Sequence, residues 1–344
     1  MDFSIMFWGD VDHGVDQADK YRLLFDAARY ADANGYAALW VPERHFHPWG
    51  GLFPNPVVVC SALAQCTKRV RLRAGSVVVP LHHPVRIAED WAVVDNMSGG
   101  RVEIAAATGW KADDFVLAPE RYEKRKTEVW DALDTVRALW RGGTYAGKNG
   151  KGVDVQVPIF PKPVQAELPV WVTTFGSIRT VTKSGGSGYN LLTHLLGQEF
   201  SDVEKKVQQY RAYRVQGQFS EPGKVALMLH TFLGSDVSKV REVVRAPFSA
   251  YLRQSADLMV PADKRAEWEA ADPSLVAEMV DIAFDRYFET ASLMGTPATC
   301  RPIVQRLADI GVTDICCLID FGVEPALVME SLEYLTELKR SVGA

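Results

Sequence analysis

Four side chains able to move protons or hold charge crowd one short stretch of this chain, Pro42-Glu-Arg-His-Phe-His-Pro48, and His82 and His83 follow a β-rich run further on. Imidazole exchanges protons near neutral pH, which makes His45 the leading candidate for a proton-handling group. Arg44 beside it is a cation that either orients an acidic substrate group or pairs with Glu43. The histidines also raise the question of a metal. Adjacent histidines at a strand end point apart, and no helical H-E-x-x-H arrangement occurs, so no metal is expected. One or two of these imidazoles are expected to satisfy loop backbone groups instead.

A second candidate lies where a strand runs into a helix, Thr173-Thr-Phe-Gly-Ser-Ile-Arg-Thr180. Gly176, Ser177 and Thr180 offer backbone N–H groups and hydroxyls at a helix N-terminus, where an anion such as a phosphate is favoured. The same residues serve equally well as an ordinary N-cap at Ser177, and Arg179 either adds charge or faces solvent. Trp8, Trp49, Phe53, Trp110 and His194 are candidates for a substrate pocket, although core packing is the commoner fate of such aromatics. No G-x-S-x-G elbow or phosphate-binding G-x-x-x-x-G-K-[ST] loop is present, which argues against hydrolases and nucleotide kinases. Of the acids, Glu89 and Asp90 are expected on a helix and Asp113 and Asp114 on a solvated loop.

The elements that must position these groups alternate. Apolar β-rich runs at residues 4–8, 37–41, 70–79, 102–107, 170–173, 189–192, 225–233 and 315–319 are separated by stretches of helical period, including 16–34, 56–67, 84–97 and 121–140, with a Gly-rich hairpin at 144–157. Eight strands of this kind, without a G-x-G-x-x-G after the first, predict an α/β fold, a TIM (β/α)8 barrel, in preference to an open doubly wound sheet. The whole chain, 1–344, reads as one domain, with a charged, strandless helical insertion at about 245–294 placed to act as a lid. Active sites of such barrels form at the C-terminal ends of the strands, which selects residues 7–10, 43–48, 76–83, 107–111, 173–180, 193–198 and His230.

Composition removes other classes. A net charge of −5, with 38 basic residues dispersed among 43 acidic ones, leaves no basic stripe for nucleic acid or an anionic membrane. The absence of a signal-like start and of long apolar runs makes a cytoplasmic location the expectation. Five cysteines without C-x-x-C spacing fit neither a disulfide framework nor a zinc site, and Cys316 and Cys317, adjacent in a strand, must face opposite ways.

The run from Gly75 to Asp90, then Val94-Asp-Asn-Met-Ser-Gly-Gly-Arg-Val102 and Ala107-Thr-Gly-Trp110, with Glu43-Arg-His-Phe46, Asn55-Pro56 and the Gly176 to Thr180 turn, resembles the bacterial luciferase-like flavin monooxygenases. The segments Pro80-Leu-His-His-Pro84, Asp114-Phe-Val-Leu-Ala-Pro-Glu120 and Leu191-Leu-Thr-His-Leu-Leu-Gly-Gln198 are similar to the branch found with nonribosomal peptide and polyketide synthases. That resemblance implies a homodimeric barrel that takes reduced FMN (FMNH2) from a separate flavin reductase. With O2 it would transfer one oxygen to a small or carrier-bound, amino-acid-derived or acyl intermediate of natural-product biosynthesis. It also implies cofactor contacts at Ser76, Val77, Ala107, Thr108, Thr173, Gly176, Ser177 and Thr180, with a non-proline cis peptide at the Ser76–Val77 bend. Ala107 stands where luciferase has a reactive thiol, and Arg44 where it has the histidine tied to catalysis, so the chemistry near His45 is expected to differ from luciferase. Two alternatives stay open: a dehydrogenase using the deazaflavin F420, and a flavin-binding protein without turnover.

Overall fold

The computed structural model describes residues 1–9, 19–254 and 272–343. In chain order its strands are β1 (Asp2–Met6), β2 (Ala38–Val41), β3 (Arg71–Val78), β4 (Val102–Ala107), β5 (Tyr145–Lys148), β6 (Asp154–Val157), β7 (Val170–Thr173), β8 (Asn190–His194), β9 (Val225–Leu233), β10 (Leu293–Gly295) and β11 (Asp314–Leu318). Its helices are α1 (Arg22–Ala33), α2 (Pro56–Cys66), α3 (Pro84–Ser98), α4 (Arg125–Trp140), α5 (Ile178–Gly186), α6 (Phe200–Gln216), α7 (Val237–Gln254), α8 (Pro273–Thr290), α9 (Pro297–Asp309) and α10 (Pro325–Val342). β1, β2, β3, β4, β7, β8, β9 and β11 pair in that order, all parallel, and β11 returns to β1, which closes the (β/α)8 barrel. β5 and β6 form the expected antiparallel hairpin outside it.

Strand periodicity sorts the side chains. Met6, Trp40, Ala105, Trp171, Leu192, Ala226, Cys316 and Leu318 make one buried cluster, the barrel interior. Their sequence neighbours Ile5, Leu39, Ile104, Val172, Leu191, Leu227 and Cys317 belong to a second, larger cluster shared with the helices. Cys316 and Cys317 thus face opposite ways, as their adjacency requires.

The barrel floor is polar. Arg73, 1% exposed, donates from Nε to Glu103 at 2.8 Å and from Nη1 to Asp314 at 2.5 Å. Its guanidinium carbon lies 4.7 Å from the ring centroids of both Trp40 and Trp171. The Trp171 indole N–H donates to Glu103 at 2.6 Å, and the Ser4 hydroxyl donates to Asp314 at 2.7 Å. Arginine tolerates this burial because its planar fork satisfies two carboxylates while its faces stack on indoles.

Several boundaries differ from the sequence expectation. The first strand is Asp2–Met6 and not 4–8, because the N–H groups of Trp8 and Gly9 leave the ladder and donate to the Asp320 carboxylate, each at 2.7 Å. The last strand starts one residue earlier, at Asp314, where its carboxylate holds Arg73. The sixth extends to His194, and the long helix of 121–140 starts at Arg125 after two short 3-10 turns. Residues 10–18, which include the expected start of the first helix, lie outside the described residues.

The 245–294 insertion is also corrected: it is not strandless. β10 pairs in parallel with Thr231–Leu233 of β9, beyond the point where β9 leaves β11. A three-residue strand is too short to show a period. α7 and α8 are joined by Arg241–Asp285 at 2.6 Å and by Arg245–Asp281 at 3.2 Å, while residues 255–271 of the insertion lie outside the described residues.

Candidate active site at the barrel mouth

Two residues beyond each inward-facing residue of a strand stands the next inward-facing one. Applied to Met6, Ala105, Trp171, Leu192, Met228 and Leu318, that step reaches Trp8, Ala107, Thr173, His194, His230 and Asp320, so one ring at the C-terminal mouth gathers residues from six strands. Trp8, Ala107, Thr173 and His194 are partly exposed, whereas in the layer beneath Met6, Ala105, Trp171, Leu192 and Leu318 are buried and Met228 is partly buried. Ser76 joins this ring through a 2.5 Å hydroxyl–hydroxyl hydrogen bond to Thr173. The non-proline cis peptide is present at Gly75–Ser76, one bond before the expected place, and the β3–β4 register shifts between Gly75 and Val77. The Val77 side chain packs in the helix-facing core, which leaves its backbone to contribute at the mouth.

Glu43 is the hub of the loop after β2. Its carboxylate accepts from His82 Nε2 at 2.6 Å, from Val78 N–H at 2.7 Å and from His45 Nε2 at 3.0 Å. Burial works against its ionisation, but these donors outweigh burial and hold Glu43 below the usual carboxylate range. Burial likewise opposes protonation of His82, and the bond to Glu43 outweighs it, which raises the His82 pKa. His45 is therefore fixed by a carboxylate. His47 and His83 are the loop-serving imidazoles expected: His47 Nδ1 accepts from Trp49 N–H at 3.2 Å, and His83 Nδ1 caps α3 by accepting from Val85 N–H at 3.3 Å.

Arg44 lies between two indoles, its guanidinium carbon 5.7 Å from the rings of both Trp8 and Trp110. A Cβ at position 50 would stand 2.4 Å from Arg44 Cδ, so Gly50 (φ +82°) makes room for the arginine stem. The solvated-loop expectation fails for Asp114: it is 6% exposed, in a 3-10 segment (Ala112–Leu117), with one carboxylate oxygen lacking a hydrogen-bond partner. Burial raises its pKa against the pull of His45, Lys111 and Arg44. Glu89 and Asp90 do lie on α3, paired with Arg86.

The Gly176 turn sits at the N-terminus of α5. Ser177 is its N-cap, with Oγ accepting from Thr180 N–H at 3.4 Å, and Arg179 faces solvent. The cation at this turn is one the sequence reading missed, Lys206 of α6: a Cβ at Gly176 (φ +116°) would lie 3.0 Å from its ammonium nitrogen. Burial lowers the Lys206 pKa, and its ammonium also donates to Gln198. Its distance along the chain hid it, since only α5–α6 packing brings it to the turn. An anion there meets backbone N–H groups, two hydroxyls and a cation, the donor set a phosphate needs.

Trp49 and Phe53 are buried, 3% and 1% exposed, with Trp49 against Tyr251 at 5.3 Å and Phe53 against Tyr21 at 6.5 Å. Trp110 is 46% exposed, and Thr108, two residues before it, is partly exposed. The His194 ring lies tilted against Phe175, with centroids 4.3 Å apart. Burial pushes the Asp320 carboxyl up to about 7 despite the Trp8 and Gly9 N–H donors.

A closed parallel barrel with a phosphate-ready helix start and a histidine–carboxylate loop at one mouth is the frame of a cofactor-dependent barrel enzyme. The family model for luciferase-like monooxygenases matches residues 1–314, and the chain belongs to that family. It is 27% identical over 228 residues to the oxygenase component of a flavin-dependent trigonelline monooxygenase from Acinetobacter baylyi, an alignment covering 63% of this chain and 60% of that relative's length. The fold is that of the monooxygenase RslO1 from Streptomyces bottropensis (TM-score 0.80, 21% identity, all of both chains). It is also that of the oxygenating constituent of 3,6-diketocamphane monooxygenase from Pseudomonas putida, solved with FMN (TM-score 0.78, 16% identity, 98% of this chain and 97% of that one). Among the described residues, no helix is long and apolar enough to cross a membrane.

Proposed function

We propose that this protein is the oxygenase of a two-component flavin system, using FMNH2 delivered by a separate reductase, together with O2, to oxygenate a small amino-acid-derived or acyl intermediate, free or carrier-bound, in natural-product biosynthesis. The observation that carries the reading is the mouth itself, where the Gly176 turn, close to Lys206, follows directly on Thr173 at the end of β7, and Thr173 bonds Ser76 of β3. The FMN-bound diketocamphane relative and the oxygenase component that acts on trigonelline support it.

Gly176, Ser177, Thr180 and Lys206 would hold the FMN phosphate, and Ser76, Val77, Ala107, Thr108 and Thr173 would bound the ring system. Bound reduced flavin supplies activation of O2 and delivery of one oxygen atom. The chain's own task is to exclude water and to handle a proton. In this reading His45, fixed by Glu43, is the proton-handling group, and Arg44 orients the substrate between Trp8 and Trp110.

Titrating the apoprotein with FMN and with F420 tests the cofactor. Tight binding of F420 alone would replace the oxygenase with a dehydrogenase. Product formation that needs both O2 and reduced FMN separates the enzyme from a flavin-binding protein without turnover. Lys206→Met is expected to weaken FMN binding about 10- to 100-fold, the value of one charge-assisted hydrogen bond, while leaving riboflavin, which lacks the phosphate, unaffected. Equal losses for FMN and riboflavin would place Lys206 away from the phosphate.

We also propose a homodimer through α2 and α3, where Val58 (64% exposed), Val93 (40%) and Met97 (50%) leave apolar surface. Sedimentation should show a dimer for the native chain and monomers for Met97→Asp. An unchanged dimer in that variant would move the interface elsewhere.

A further inference from the structure

His230 stands on the inner face of β9, 4% exposed, inside a box of rings: Tyr251 at 4.3 Å, Phe248 at 4.7 Å and Phe321 at 5.7 Å between centroids. Its Nε2 has no hydrogen-bond partner. A buried nitrogen left unpaired is destabilising, and a leucine or phenylalanine would fill the space without that cost. On the adjacent strand, His194 Nδ1 is likewise buried without a partner, its ring against Phe175. Burial lowers the two pKa values to about 3 for His230 and about 4 for His194, so both rings are neutral at pH 7. A neutral imidazole offers one donor or acceptor at each nitrogen and no charge for a carboxylate. The surrounding rings favour a flat apolar body.

We propose that His230, with His194 beside it, recognises an uncharged hydroxyl or carbonyl group on an aromatic substrate. The assignment rests on the oxygenase reading and narrows its substrate class. The unpaired nitrogens are the hydrogen-bond partners that such a group supplies, and a substrate lacking it leaves them buried and unsatisfied. Tyr251, in the last turn of α7 and 5.3 Å from Trp49, forms the wall of the box opposite β9.

The test is a binding titration of the FMN-loaded protein with 2-naphthol, naphthalene and 2-naphthoate. The native chain should bind 2-naphthol about 10-fold more tightly than either of the others. His230→Phe should lose that preference with FMN affinity unchanged, and His230→Gln, which keeps a hydrogen-bonding group, should retain part of it. His230→Leu serves if the phenylalanine variant does not fold. A native preference for naphthoate, no preference at all, or a preference that survives in His230→Phe would overturn the assignment. Should FMN fail to bind, the flavin reading falls, and the same three probes on the flavin-free protein still decide the role of His230.

Discussion

Glu43→Gln is expected to lower kcat/KM about 100-fold and to cost roughly 2–3 kcal/mol of stability, the largest loss of function anticipated from a residue that need not touch substrate. One carboxylate oxygen accepts from both His45 and His82, and the other from Val78 N–H beside the bent third strand. An amide nitrogen in place of either oxygen would oppose a donor with a donor. His45 would then be free to turn away from the mouth, so kcat should fall more than KM rises.

The pH dependence of stability follows from the two directions. Glu43, with its pKa depressed, contributes stability above the unfolded carboxylate value of about 4.3 that is lost as pH falls through its folded pKa. His82, with its pKa raised, contributes stability that is complete below about 6.5 and is lost as pH rises through its folded pKa. The pair is therefore worth most between about pH 4.3 and 6.5, and that maximum should flatten in Glu43→Gln. Urea unfolding across pH 4 to 8 checks this, and an unchanged profile would mean that the hub does not couple the two groups.

Arg73→Met should destabilise the barrel by about 3–5 kcal/mol, because it leaves Glu103 and Asp314 charged on the floor with their main partner gone. Arg71 also pairs with Glu103 and softens the loss on that side, whereas among the described residues Asp314 keeps only the Ser4 hydroxyl as a side-chain hydrogen-bond donor. The triple variant Arg73→Met, Glu103→Gln, Asp314→Asn should recover much of that stability, since the cost comes from orphaned charge more than from the missing contact. A single-variant loss below about 1 kcal/mol would show that water reaches the floor and screens it.

What the sequence determined by itself was local and periodic. Apolar β-rich runs marked all eight barrel strands to within two residues at every end, because parallel strands covered on both faces read as short, nearly continuous apolar runs. The helix expected from Pro56 starts there, with Pro56 in the first turn, and the structure adds Asn55 as its cap, accepting from Val57 N–H at 3.0 Å. The motif order from Glu43 to Trp110 pointed to the family, and the family model matches across those residues.

Tertiary structure alone decided the pairings. Lys206 reaches Gly176, His82 reaches Glu43 and Asp320 reaches Trp8 across 30, 39 and 312 positions, separations at which no spacing rule operates. Burial was equally hidden. Asp114 reads as a solvated acid beside Asp113, yet the turn that follows β4 folds it inward toward Arg44 and His45. Desolvation depends on what packs around a group and not on its neighbours in the chain, so the shifted acids and the unpaired nitrogens of His194 and His230 became visible only once the barrel closed.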